Sequence, residues 1–284
     1  MKRFGLSFLL LAMLPFSIFA QSSIDPNCTV EAQNACVDWE RGHAIAIGLG
    51  APAGWAKNAA QKNLSARRAA RLDAARNILE LIKGINISAD TSMAQAMVSN
   101  DEVRTSVEGR LNSIRALGEP KYFSDGSVQI KLIANLREVV PPEVMFGDAS
   151  GPPRLLESPG SFPSGTGLNQ SSAYTGLIID ARGTGVQPAM SPKVFDPEGR
   201  EVYGSAYVSR KWALSQGVVG YLKDVDKARE NDRVKGNPAV VKATEAKGAN
   251  KADLVLSKAD ADALRGLSQT QSFLNEGRVM IILD

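Results

Sequence analysis

Few side chains in this sequence are placed to do chemistry. The first group is Asp180-Ala-Arg182-Gly-Thr-Gly185, which follows the apolar run Leu177-Ile-Ile179. Loops at strand ends often carry functional groups. Asp180 there could hold a cation or act as a base, with Arg182 beside it. The same Asp, Arg and Gly pattern also serves simply to satisfy turn hydrogen bonds. His43 is the only histidine. A Ser-His-Asp or Cys-His triad would have to use it, yet it falls on an expected strand in the other half of the chain, as a half-buried strand residue. A glycosidase carboxylate pair is compatible with the residue types, but no motif marks one. Trp55, Trp212 and Tyr221 could stack on a glycan, and core packing is the expected use of their rings. Gly48-Leu-Gly-Ala-Pro-Ala-Gly54 has the wrong spacing for a dinucleotide loop and no following Gly-Lys-Ser/Thr, and Pro52 lacks an N–H. It is expected to be a strand-to-helix loop. No catalytic, cofactor-binding or metal-ligating constellation emerges, and no cofactor is implied.

The N-terminus indicates a compartment. Lys2 and Arg3 precede an apolar run from Phe4 to Phe19 that ends at Ala20, the pattern of a cleavable signal peptide. Cleavage after Ala20 would leave Gln21 first. The run is short for a bilayer span and lacks positive charge on its far side. Cys28 and Cys36, the two cysteines, both follow it. In an oxidising compartment such a close pair is expected to form one disulfide. With one histidine and no second cysteine pair, a zinc site is not expected. Formal net charge is +3, and +1 once Lys2 and Arg3 are removed. Near-neutrality argues against a nucleic-acid partner. No later stretch approaches a membrane span, so a periplasmic or outer-membrane-associated protein without a transmembrane segment is expected.

The elements that would position these residues begin with a long helix from Asn58 to Lys83. Leu64, Ala69, Leu72, Ala75, Leu79 and Ile82 recur at steps of three to five and are expected to form its buried stripe, with Ile78 beside it. Arg67, Arg68, Arg71 and Arg76 lie off that stripe, as a solvated face. Gly84 is expected as a left-handed C-terminal cap. An extended run over 85–93 follows, then a shorter helix near 101–116 with Val103, Val107, Leu111 and Ile114 at helical spacing and a cap within Ser99–Asp101. Ser124-Asp-Gly-Ser127 signals a tight hairpin. Beyond it, Val128, Ile130 and Leu132 alternate with polar residues as a half-buried strand. Upstream, Trp39–Ile47 reads as the first strand.

Pro141-Pro142 closes this region, and Gly, Pro and Ser dominate to about Ser172, as in a linker or exposed loop. The second half opens with a buried-type strand at Tyr174–Asp180. A hairpin follows around Asp196-Pro-Glu-Gly199, and a short helix near Ser209–Gln216. Tyr221–Lys235 is charged and expected to be a solvated helix or loop. Strands are expected at Val240–Ala246 and Asp253–Leu256, then a helix capped by Ser257. The apolar run Arg278–Leu283 is expected to be central in a sheet.

Ala66-Arg-Arg-Ala-Ala-Arg-Leu-Asp-Ala-Ala-Arg-Asn-Ile-Leu-Glu-Leu-Ile-Lys-Gly84 and Ser99-Asn-Asp-Glu-Val-Arg-Thr-Ser-Val-Glu-Gly109 resemble the core motif of the LPP20-type lipoprotein family. That domain type is related to the N-terminal domain of flagellar assembly protein T and to flagellar basal-disk lipoproteins. The resemblance covers roughly 43–136. Tyr174–Tyr203 and the closing strand also look like the C-terminal region of such envelope proteins. The chain has no cysteine directly after the leader, so lipid anchoring does not carry over. The expected class is α+β: a signal peptide (1–20), an LPP20-like domain (21–140) with a curved antiparallel or mixed sheet packed by one long and one short helix, a linker (141–172) and a C-terminal α+β domain (173–284). The resemblance implies a non-enzymatic envelope component, flagellum- or outer-membrane-associated, whose partners are envelope or flagellar proteins or further copies of itself. The alternative is a periplasmic enzyme or ligand-binding protein acting on cell-wall glycan or peptide near Asp180–Gly185.

Overall fold

The structure, a computed structural model, describes residues 24–25, 28, 30–111, 114–146, 153–154, 168–169, 171–268 and 271–284. The expected leader, and most of the expected linker, lie outside these residues. The protein is α+β with two sheets. The first contains β1 (Val30–Ala32), β2 (Ala35–Asp38), β3 (His43–Gly50), β4 (Arg115–Ala116), β5 (Lys121–Tyr122) and β6 (Val128–Asn135). Its order is β1-β2-β3-β6-β4, and β5 also pairs with β6. Among the described residues every pairing in it is antiparallel. The helices of this half are α1 (Ala59–Lys83), α2 (Met93–Ser99), α3 (Asp101–Arg110), α4 (Leu136–Val139) and α5 (Pro142–Phe146).

Helix α1 starts where the Asn58 side chain accepts from Gln61 N at 2.9 Å, satisfying one of the free N–H groups of a helix start. Its buried stripe differs from the expected one. Ala66, Ala70, Ala74, Ile78 and Ile82 are buried, whereas Leu64 and Leu72 are exposed, Leu72 by 69%. The reason lies in the sheet. Gly48 and Gly50 are strand residues of β3, not part of a loop, and a Cβ on either would overlap the α1 backbone: Ala70 O and Ala74 N at Gly48, Ala66 O and Ala70 N at Gly50. Helix and sheet approach to backbone contact, so only alanines fit between them. A reading that ranks residues by hydrophobicity selects the leucines, while the packing distance selects the smallest side chains.

Further local expectations are corrected. Gly84 caps α1 with φ −77° and ψ −9°, a right-handed helical conformation, so positive φ is not what places glycine there. The second helix ends at Arg110, and Arg115–Ala116 already pairs with β6. The capping box Ser92–Gln95 starts α2, a helix legible in the Ser-x-x-Gln spacing but not expected above. The strand expected to be first is the third: β1 and β2 precede it, β3 begins at His43, and Trp39 sits in the turn between β2 and β3. The Asp125-Gly126 hairpin is present, with Gly126 at φ 84° and Asp125 Oδ1 accepting from Ser127 N. The β6 alternation holds, with Val128, Ile130, Leu132 and Ala134 all buried.

The second sheet contains β7 (Leu177–Asp180), β8 (Val194–Phe195), β9 (Glu201–Tyr203), β10 (Gly220–Leu222), β11 (Ala239–Lys247), β12 (Asp253–Leu256) and β13 (Val279–Ile282), in the order β10-β13-β7-β11-β12-β8-β9. β10, β13, β7 and β11 run parallel. The parallel centre explains why β7 and β13 read as continuous apolar runs, since both faces are covered. Helices α6 (Arg210–Gln216), α7 (Val225–Glu230) and α8 (Lys258–Ser268) complete this half. Tyr221, expected in a solvated segment, is buried on β10. Asp196, fully buried in the β8–β9 turn, binds Arg200 and the buried Arg265 of α8, each at 2.8 Å. That pairing compensates the cost of burying its charge.

The halves share one hydrophobic core. Trp39 packs edge-on against Tyr221 with ring centroids 5.5 Å apart. The Tyr221 hydroxyl donates to Ala189 O and accepts from Ala189 N. The segment after α1 pairs in parallel with 189–191: Met190 N donates to Asn86 O and Ser191 N to Ile87 O. Within the expected linker, α5 buries Met145 and Phe146, and Leu168 is buried.

The α1–β3 contact makes a direct prediction. Gly48→Ala should lower stability by about 2–3 kcal/mol or more, because backbone atoms rather than a flexible side chain must move. Gly54→Ala, whose Cβ would meet nothing within 4 Å, should leave it unchanged. Denaturant unfolding of the two variants checks this.

Candidate functional site

The strand-end turn carries Asp180 and Arg182 at the carboxyl edge of the parallel strands. Arg182 Nη2 lies 2.7 Å from Asp180 Oδ2, Nε lies 2.8 Å from Oδ1, and Arg182 N also donates to Oδ1. The guanidinium holds the Asp180 carboxyl below the ordinary carboxylate range. Gly183 N donates to Asp284 Oδ1 at 2.7 Å. Each charge is answered by the other, and the backbone N–H groups are taken up by carboxylates, so this geometry is that of a fastened turn. His43 sits on β3, half-buried, and burial lowers its pKa. It faces a cavity with Arg115 and Glu138, remote in sequence and sheet from Asp180. Cys28 and Cys36 lie at disulfide distance, with 5.7 Å between Cα atoms, within the range such a bond requires. Cys36 pairs across from Ile45, on the sheet face turned away from α1. Lys131, on that same face, donates to Ile24 O at 2.6 Å, so Ile24 and Cys28 are each tied to this face of the sheet.

A cleft of about 450 Å³ opens where the halves meet. The β1–β2 turn gives Gln33 and Asn34, the last turns of α1 give Asn77, Glu80 and Leu81, and the second half gives Gln187 and Pro188. Val37 and Ile85 form an apolar floor with Leu81. Asn77 Nδ2 donates to Ile47 O at 2.8 Å, and Glu80 is paired with Lys83. Side-chain amides over an apolar floor, at a junction between two halves, are the makings of a recognition cleft. Sequence reading missed it because its walls come from three distant segments, and no local motif joins them.

A charged cluster around the buried Asp253 was equally invisible in sequence. Asp253 is buried and accepts from Lys193 N at 2.8 Å. Lys193 Nζ lies 3.7 Å from Glu201 Oε2, and Glu201 Oε1 is buried without a hydrogen-bond partner among the described residues. Burial raises both carboxyls, Asp253 to about 6. The starts of β8, β9 and β12 bring these groups together. Trp55 and Trp212, by contrast, are not core residues: Trp55 is 67% exposed and Trp212 38%. Only Tyr221 of the three rings is buried as expected.

The raised Asp253 pKa has a definite sign. Its neutral form is favoured in the folded protein, so its stability contribution is complete below the unfolded value near 4 and is lost as pH rises through 6. Asp253→Asn keeps an acceptor for Lys193 N and removes the titration. The variant should gain about 1–3 kcal/mol relative to the parent between pH 4 and pH 7. Parallel stability–pH curves for the two proteins would show that Asp253 does not titrate in this window.

Residues 176–284 match the family model of the second domain of Treponema pallidum Tp0624. The match begins one residue before β7 and takes in the whole second sheet. No curated protein matches the chain.

Proposed function

We propose that this is an exported envelope protein that works by binding other proteins, not by turnover, as a structural or assembly component of an envelope or flagellum-associated complex. The observation that carries the reading is the cleft between the halves. Its amides offer donors and acceptors without net charge, its floor is apolar, and its one carboxylate, Glu80, is already paired with Lys83. Such a lining suits an extended segment of a protein partner, whose backbone presents the same neutral donor and acceptor pattern. A sugar ring would need an open aromatic face, and Trp39 at the cleft is only 8% exposed, with its ring against Tyr221. The shared core gives the cleft walls that move little against each other, which lowers the entropy cost of binding. The resemblance of 43–136 to LPP20-type lipoproteins supports the envelope setting, and the close Cys28–Cys36 pair is compatible with export.

Gly84 lines the cleft, is exposed, and has an ordinary helical φ, so a large side chain there is tolerated by the backbone. Gly84→Trp should fill the mouth of the cleft with the fold intact, as should Gln187→Trp. A photo-crosslinker at Gln33 should capture a discrete envelope protein in the native host, and either tryptophan should reduce that product at least about tenfold, a loss of about 1.4 kcal/mol. Undiminished crosslinking in both variants would remove the cleft from the proposal. Turnover of cell-wall material by the purified protein would replace the binding reading with the enzymatic one.

A further inference from the structure

Most of the large apolar side chains exposed among the described residues gather at one end of the first sheet. Leu49 is at the end of β3, Tyr122 and Phe123 are on the shoulder of the β5–β6 hairpin, Trp55 is in the loop entering α1, and Leu64 is in its second turn. Tyr122 pairs with Val128, opposite Gly50, and so projects on the α1 side of the sheet, while Leu49, across from Gln129 and Lys121, projects from the opposite face at the same end. The hairpin tip reaches the α1 entry loop, where a Cβ on Gly126 would stand 3.2 Å from Pro52 Cγ. That loop is fixed to the helix, with Ala53 N donating to Ser65 Oγ at 3.0 Å.

The outer face of α1 continues this surface. From Lys57 to Leu72 the chain carries Lys57, Lys62, Arg67, Arg68 and Arg71 and no carboxylate, and all five are exposed. Leu64 and Leu72 stand among them. Asp125 at the hairpin tip is turned into its own loop, accepting from Ser127 N and Oγ. Exposed rings and leucines set among cations on one surface have a specific physical fit. Aromatic side chains favour the boundary between headgroups and acyl chains, and Lys and Arg favour anionic headgroups. A polyanion alone would not use the leucines, and protein interfaces are depleted in lysine at their centres. We infer that this end of the first sheet, with the outer face of α1, docks the protein peripherally on an anionic lipid surface, with Trp55 and Phe123 entering the headgroup layer. This inference is independent of the cleft, which faces the junction of the halves.

The test uses the chain from Gln21 onward, which keeps every described residue and omits the apolar leader. Co-sedimentation is measured with vesicles of phosphatidylglycerol and phosphatidylethanolamine, and with vesicles of phosphatidylcholine alone. Binding is expected only to the anionic vesicles, falling with added salt. The Trp55→Ser/Phe123→Ser pair should abolish it, and Arg67→Gln/Arg68→Gln should weaken it about fivefold for each charge removed. Every substituted residue is exposed, and circular dichroism verifies that the variants stay folded. Absence of binding to anionic vesicles, or binding unchanged in both double variants, overturns the inference. So does a dimer that Trp55→Ser/Phe123→Ser dissociates in the absence of lipid, which would make a second copy the occupant of this surface.

Discussion

The first half of the protein depends on the contact between α1 and β3. Gly48 and Gly50 remove the side chains that would separate helix from strand, and the row Ala66, Ala70 and Ala74 does the same from the helix side. Each alanine buries little area, so the energy of this interface comes from many close van der Waals contacts rather than from a few large side chains. Asp73 reinforces it by accepting from Leu49 N at 3.0 Å, and Asn77 by donating to Ile47 O. Once the helix is pressed against the sheet, its outer face is committed to solvent. That is why Leu64 and Leu72 are left exposed beside the arginines.

The same constraint reaches the junction with the second half. Because α1 is held at a set depth and direction, the chain leaving it at Gly84 delivers Ile85–Ile87 alongside 189–191, where backbone hydrogen bonds close a short parallel ladder. Trp39, in the turn that feeds β3, meets Tyr221 from the other side of the junction. The cleft is the space between these two ties, and its walls are by-products of where α1 ends.

In the proposed reading, function on this architecture is a matter of surfaces. The charged groups that resemble catalytic ones are engaged within the fold: Asp180 with Arg182, Asp196 with Arg200 and Arg265, Glu80 with Lys83. The cleft is neutral and faces the junction, while the aromatic and cationic end of the first sheet is exposed. A body that offers a partner one surface and a lipid headgroup layer another would bridge the two without changing shape.

Much of this was legible locally. The α1 start at Asn58, the Asp125-Gly126 hairpin, the β6 alternation and the double-sided burial of β7 and β13 each follow from propensity, capping or period, which are properties of neighbouring residues. The α+β class and the pairing distance of Cys28 and Cys36 were within reach for the same reason. The face that α1 buries was not, because it depends on how near the partner strand comes. Nor was the exposure of Trp55 and Trp212, since an aromatic ring reads alike in a core and on a surface. The Lys193–Glu201–Asp253 cluster and the cleft draw on segments far apart in the chain, and only strand order and helix depth bring them together. The sequence by itself determined the elements whose signal is local, such as α1, the Asp125-Gly126 hairpin, β6, β7 and β13. The tertiary structure decided which of their faces meet, because that choice rests on interatomic distance between elements, which no local pattern encodes.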